Sequence, residues 1–124
     1  MLESSPIIAF AAATDLNRTQ VFYEQVLGLP VAERNDFVCV LDANGTMLRL
    51  TAVAEVRQAG YTVLGWKVTD IAAAVRGLAS RGVLFLRYDG MDQDEDAVWA
   101  TPSGDKVAWF ADPDGNVLSL TQFL

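Results

Sequence analysis

The sequence of 124 residues contains no histidine, one cysteine, and fewer basic than acidic residues, 9 against 16. Without histidine, no Ser-His or Cys-His nucleophile pair can form, and one cysteine cannot close an intrachain disulfide. Cys39 lies in the strand-like apolar run 37–41, which predicts a buried, inert thiol.

Clusters of Lys and Arg are also missing, and the formal net charge is −7. Nucleic acids and anionic membrane surfaces select such clusters, so neither is an expected partner. No apolar stretch approaches the roughly 20 residues of a membrane span, and residues 1–6, MLESSP, do not resemble a secretory signal. We expect a cytoplasmic protein.

The chain is long and apolar enough, at 52% hydrophobic residues, to form a single domain over residues 1–124. Within it one pattern occurs twice, a strand-like run followed by an aspartate, a helix-like segment and a glycine. The first copy has a strand-like run at 7–13 and a helix at 17–27, and the second has a run at 62–68 and a helix through 79. Asp15 or Asn17, and Asp70, are predicted N-caps, and Gly28 and Gly82 suit left-handed helix exits.

Short strand-like runs separated by turn residues follow each helix. They cover 37–41 and 47–53 in the first copy, and 83–88, 97–101, 106–110 and 117–122 in the second. The predicted fold is α+β, with two tandem βαβββ modules at about 6–54 and 61–124. We expect a cupped, partly open, mixed β-barrel-like sheet with the helices outside and a cavity between the modules.

Two segments carry a family resemblance. Residues 15–29, DLNRTQVFYEQVLGL, resemble the start motif of the vicinal oxygen chelate superfamily, and 112–120, DPDGNVLSL, resemble its end motif. This group comprises glyoxalases, bleomycin resistance proteins and extradiol dioxygenases. The resemblance covers nearly the whole chain and implies the paired-module fold, a homodimer, and a small-molecule ligand.

The resemblance also implies four metal-ligand positions, one on the first and one on the last strand of each module. They fall at Ile8, Arg49, Val63 and Ser119. Ile and Val have no lone pair, Arg repels a cation, and Ser is a weak neutral donor. We therefore expect neither a metal nor another cofactor, and no metal-dependent glyoxalase or dioxygenase activity.

Arg49 is the strongest single candidate for ligand binding. Alternation along 47–51 places Leu48 and Leu50 towards the helix, and Met47 and Arg49 towards the cavity. A buried guanidinium needs a carboxylate or an anionic ligand. An ion pair with the other module or a partner chain, and a bound anionic ligand, both remain open. The expected apolar pocket residues are Ile8, Phe10, Met47, Val63 and Trp109.

The tryptophans are predicted to lie on different faces of the sheet. Trp66 is predicted to face the helix, whereas the resemblance implies that Trp109 lines the pocket. Trp99 shares that face only if the turn at 102–105 contains a bulged residue, because a two-residue loop sends it outward.

Asp89, Asp92, Asp94, Glu95 and Asp96 form an acidic run that suggests a calcium loop at first sight. Ala97 and Ser103 stand where an EF-hand has its glycine and glutamate, and strands flank the run. A solvated loop, or attraction of a cationic ligand, is the better interpretation.

The favoured hypothesis is metal-independent binding of a small apolar or aromatic molecule, neutral or cationic, in the pocket between the modules. The ligand-pocket residues would be Ile8, Phe10, Met47, Arg49, Val63, Trp99, Trp109 and Ser119, with no catalytic residue. Sequestration like that of bleomycin resistance proteins is expected in preference to catalysis. The alternatives are a metal-independent isomerase or lyase with Arg49 as anchor, and a structural or regulatory dimer whose side chains fill its cavity.

Overall fold

The computed structural model describes residues 1–124 and consists of two compact units, Met1–Arg57 and Gln58–Leu124. We call them unit 1 and unit 2.

Unit 1 contains one mixed sheet and one helix. After strand β1 (Ile8–Ala13), helix α1 (Leu16–Gln20) continues without a break as π-helix (Val21–Val26). Strands β2 (Val31–Arg34), β3 (Val38–Ala43) and β4 (Thr46–Ala52) complete the unit. The strand order is β1-β4-β3-β2, with β1 parallel to β4 and the other pairs antiparallel.

Unit 2 repeats this scheme. Strand β5 (Leu64–Lys67) and helix α2 (Ile71–Ala79) precede strands β6 (Trp99–Ala100), β7 (Lys106–Ala111) and β8 (Val117–Gln122). The strand order is β5-β8-β7-β6, and β5 is parallel to β8. The predicted α+β class with two βαβββ modules is therefore confirmed. Each sheet is open, with an edge strand on both sides.

The helix boundaries follow the predicted capping residues. Asp15 Oδ1 accepts a hydrogen bond from the Arg18 amide, and Asp70 Oδ1 accepts one from the Ala73 amide, each at 3.1 Å. Gly28 and Gly82 have φ of 81° and 92°, so both provide the left-handed exit. Neither helix is long and apolar enough to cross a membrane.

The first helix is α-helical for a shorter stretch than the sequence predicts. The Leu27 amide bonds to the Phe22 carbonyl, five residues earlier, which is the π-helical pattern. The helix buries Leu16, Thr19 and Tyr23 against the sheet. The predicted helix over 17–27 is therefore present, but it is π-helical from Val21 to Val26, and hydrophobic spacing carries no signature of a π segment.

One face of each sheet forms the core, because neighbouring strands present side chains of the same parity to the helix. Leu48 and Leu50 are buried on this face in unit 1, and Leu118 and Phe110 in unit 2. Trp66 stacks on Phe110 with 6.4 Å between ring centroids, so it faces the helix as predicted. Cys39 is fully buried, and burial raises the pKa of its thiol above the ordinary value.

The predicted strand at 83–88 does not form. Only Phe85 makes an isolated bridge, to Phe110, and the Leu86 amide donates to the Trp109 carbonyl at 2.8 Å. Strand β6 already pairs with Lys106 and Val107 on the same edge of β7. The remaining edge is too short for a full ladder, so the rest of 83–88 is irregular.

The turn at 112–116 is built by hydrogen bonds to one buried carboxylate. Asp112 accepts from the backbone amides of Asp114 and Asn116, and from the Asn116 side chain at 2.8 Å. These bonds fix the β7–β8 hairpin.

Gly82 and Gly77 provide a matched test of the helix exit. A methyl group at either position meets no atom within 4 Å, but only Gly82 has a positive φ. Gly82→Ala should lower the free energy of unfolding by about 1 kcal/mol or more through backbone strain. Gly77→Ala, inside α2, should raise it by up to about 1 kcal/mol. Urea denaturation followed by circular dichroism measures both, and equal effects would contradict the exit geometry.

Candidate functional site

The candidate site lies on the open face of the unit 2 sheet, opposite its helix. Trp109 on β7 is paired with Ser119 on β8, and Ser119 is paired with Gly65 on β5. Directly paired residues point to the same side of a sheet. These three positions therefore form a row across the open face.

Trp99 lies on the same face because of the β6–β7 turn. Trp99 is paired with Val107, and Thr101 bonds to Asp105, which leaves the three-residue loop 102–104. Gly104 has φ of 96°, as such loops with a bulge require. The centroids of the Trp99 and Trp109 rings lie 6.2 Å apart, and the ring planes are inclined at 30° to each other. Trp99 therefore lies on the open face, as the sequence predicts for a turn with a bulged residue.

A long connection between α2 and β6 builds a wall beside Trp109. Tyr88, in this connection, packs edge-on against Trp109 with 5.4 Å between centroids and 88° between planes. The Gln93 side chain holds the connection in place. Its oxygen accepts from the Tyr88 amide at 2.8 Å, and its nitrogen donates to the Leu86 and Ala97 carbonyls at 2.9 Å.

These elements line an open cavity of about 400 Å³ within unit 2. Its lining consists of small, aromatic and apolar residues: Gly60, Tyr61, Thr62, Tyr88, Met91, Trp109 and Val117. Of the ligand-pocket residues predicted from sequence, only Trp109 is among them. Trp99 and Ser119 adjoin the cavity on the same sheet face, and Val63 lies just before β5, where its amide bonds to the Val117 carbonyl.

Sequence reasoning missed Tyr61, Tyr88 and Met91. Tyr88 lies at the end of a run interpreted as a strand, and Tyr61 and Met91 lie outside every predicted element. The sequence feature that could have indicated these residues is the occurrence of large apolar side chains beside Gly60 and Gly90, in otherwise polar loops.

The acidic run belongs to the same connection and is partly ordered by internal bonds. Asp94 accepts hydrogen bonds from the amides of Asp96 and Val98. Asp96 forms an ion pair with Arg76 of α2 at 3.0 Å, and hydrogen bonding to Asp96 raises the pKa of the Arg76 guanidinium. The interpretation as a merely solvated loop is therefore incomplete.

The open face of unit 1 carries the other predicted residues. Ile8 is paired with Met47, and Phe10 with Arg49. All three apolar side chains are exposed, and Phe10 retains 60% of its accessible surface. The Arg49 guanidinium contacts the Met47 sulfur at 3.9 Å and has no carboxylate partner. Asp42, the acidic residue paired with Met47, is bonded to the Gly45 amide.

Comparison with known families decides the identity of this fold. The family model of the Glyoxalase/Bleomycin resistance protein/Dioxygenase superfamily matches residues 8–120. The chain belongs to this superfamily.

Solved structures of the superfamily have the same fold at low sequence identity. A glyoxalase family protein from Enterococcus faecalis superposes with a TM-score of 0.74 at 21% identity, covering 98% of this chain and 99% of its own. A glyoxalase/bleomycin resistance protein/dioxygenase from Alicyclobacillus acidocaldarius gives 0.73 at 19% identity, covering 98% and 92%. No curated protein shows significant sequence similarity to the chain.

The residues at the superfamily's metal positions do not fit a metal ion. Ile8 and Arg49 lie diagonally across the β1–β4 pair, and Val63, just before β5, lies in the matching diagonal relation to Ser119 on β8. Two of the four side chains have no donor atom, and a third carries a positive charge. No group of three His, Cys, Asp or Glu side chains elsewhere offers a substitute site.

We therefore expect metal ions to leave the thermal stability of this superfamily member unchanged. A bound ion at about 100 times its dissociation constant would add roughly 2.7 kcal/mol. Differential scanning fluorimetry of EDTA-treated protein with nickel, manganese, iron(II) and zinc measures the effect. A reproducible rise in Tm that EDTA reverses would show that the four positions have been assigned wrongly.

Proposed function

We propose that the protein binds a small, planar organic molecule without a metal, and that it sequesters this ligand as bleomycin resistance proteins do. The observation that carries the proposal is the unit 2 cavity, in which Tyr88 stands edge-on to Trp109. Two perpendicular aromatic rings form a corner that can hold a planar ligand by stacking and edge contact. A volume of about 400 Å³ lies within the usual range for small-molecule sites.

The charge of the site favours neutral or cationic ligands over anions. Asp89 and Asp92 flank the lining residues Tyr88 and Met91 in sequence, and the net charge is −7. Aromatic faces attract cations, and the surrounding negative field strengthens this preference. No lysine, arginine, aspartate or glutamate lines the cavity itself, so its only titratable side chains are those of Tyr61 and Tyr88.

Arg49 favours a second candidate function, a metal-independent isomerase or lyase that anchors an anionic substrate. Its guanidinium has no carboxylate partner, and exposed apolar side chains flank it on the open face of unit 1. A carboxylate or phosphate bound there would gain charge-assisted hydrogen bonds from the planar donor group. This observation favours ligand binding over an ion pair within the chain.

We further propose that the protein is a cytoplasmic homodimer. The exposed apolar residues Ile8, Phe10 and Met47 supply a surface that a second copy could cover.

Trp109 should dominate binding of a planar aromatic cation. We expect Trp109→Leu to weaken binding of 1-methylquinolinium by on the order of tenfold or more, because stacking and cation–π attraction are lost. Isothermal titration calorimetry measures the affinity. Trp66→Phe is the matched control, since Trp66 packs on Phe110 behind the sheet and should leave affinity unchanged. Equal losses in both variants would contradict a pocket at Trp109.

Arg49 should matter for anionic ligands alone. Arg49→Ala should weaken binding of 2-naphthoate by at least about tenfold, because a charge-assisted hydrogen bond is removed. Arg57→Ala, at an exposed arginine, removes the same charge and should have little effect. Light scattering of both variants against the 13.5 kDa chain mass reports the oligomeric state. Unchanged affinity together with a lost dimer would mean that Arg49 pairs with a partner chain.

A further inference from the structure

Ser119 lies next to the unit 2 cavity and is not explained by the packing of the sheet. It is paired with Trp109 on one side and with Gly65 on the other. Val117, two residues earlier on the same strand, lines the cavity, as does Trp109. Ser119 therefore points to the cavity side of the sheet, although only 7% of its surface is exposed.

The Ser119 hydroxyl has no hydrogen-bond partner in the chain. No completely enclosed side-chain oxygen or nitrogen lacks a partner, so this oxygen keeps a narrow opening to the cavity side. A serine hydroxyl can donate one hydrogen bond and accept two. Buried polar groups are normally paired, so this one requires a partner from outside the chain, either water or a ligand atom.

Gly65 explains how a partner could reach that hydroxyl. A methyl group at Gly65 would lie 2.9 Å from Ser119 Oγ, closer than such atoms approach. Gly65 has no positive φ, so the backbone does not demand glycine here. Glycine weakens a strand interior and often marks a place where another molecule approaches closely. The missing side chain leaves open the space in front of the hydroxyl.

We propose that Ser119 and Gly65 form a hydrogen-bonding niche that selects planar aromatic ligands with a ring nitrogen or hydroxyl over hydrocarbons of the same shape. The inference rests on the proposed function, because the stacked ligand is the one that occupies the aromatic cavity. A ring stacked on Trp109 would have one edge towards the paired residue, Ser119, and a polar atom on that edge would supply the missing hydrogen-bond partner. Burying a ring nitrogen without a hydrogen bond costs free energy, so an aromatic surface alone would not favour the polar ligand, and the hydroxyl supplies the discrimination.

Naphthalene and quinoline test the niche, since they differ by one ring nitrogen and both are neutral at pH 7.5. Dissociation constants come from quenching of tryptophan fluorescence in the full-length protein. We expect the wild type to bind quinoline about three- to tenfold more tightly, the effect of one neutral hydrogen bond. Ser119→Ala should abolish this preference while naphthalene affinity is kept. Gly65→Ala should abolish it as well, with the hydroxyl still present.

Thr121→Val is the matched control, because it removes a hydroxyl from the same face of the same strand outside the cavity lining. It should preserve the preference. If Gly65→Ala does not fold, as judged by circular dichroism, Ser119→Ala alone decides. Equal binding of the two probes by the wild type, or a preference that survives in Ser119→Ala, overturns the niche but leaves the proposed function intact. Binding of neither probe overturns both.

Discussion

In each unit the first strand pairs in parallel with the last, and the rest of the structure depends on this pairing. The registers Ile8 with Met47 and Leu64 with Leu118 fix which residues face the helix and which face the open side. A shift by one residue would exchange the two faces, and burial of Leu48 and Leu118 prevents it. The open faces are thus determined by the core rather than by any ligand.

The two units have the same strand order, but their open faces differ because the connections after their helices differ in length. In unit 1, β2 begins three residues after Gly28, and Ile8, Phe10 and Met47 on the open face remain exposed. In unit 2, the connection from Ser80 to Val98 crosses the edge of β7 and adds the Tyr88 wall. The Gln93 side-chain amide holds this connection in place, because its three hydrogen bonds take the place of the backbone hydrogen bonds that a paired strand would have made.

Much of the fold could be predicted because its signals are local or periodic. Capping by Asp15 and Asp70, the glycine exits and the alternation at Leu48 and Leu50 all follow from short-range chemistry. The failures depend on tertiary context. Residues 83–88 have strand character, but the space on the edge of β7 decides how much of it can pair.

The site was predictable only in part, for the same reason. The position of Trp109 followed from the resemblance, whereas the face of Trp99 depended on the loop length at 102–104. Tyr88 and Met91 enter the cavity through the path of a connection, and no sequence period describes such a path. Ser119 could be predicted as a pocket residue, but its missing hydrogen-bond partner depends on its neighbours in the sheet.

The substitutions at the superfamily's metal positions change the physics of recognition. A divalent ion attracts oxygen ligands from several directions through its charge. A serine hydroxyl instead requires a partner close by and in line, and an arginine presents a fixed planar array of donors. Because Ser119 is neutral and buried, a ligand of the proposed kind would gain most of its affinity in unit 2 from contact with the aromatic side chains, and the hydroxyl would add selectivity. For the ligand class that we propose, such a site would favour holding over polarising, because no lysine, arginine, aspartate or glutamate lines the cavity beside Trp109.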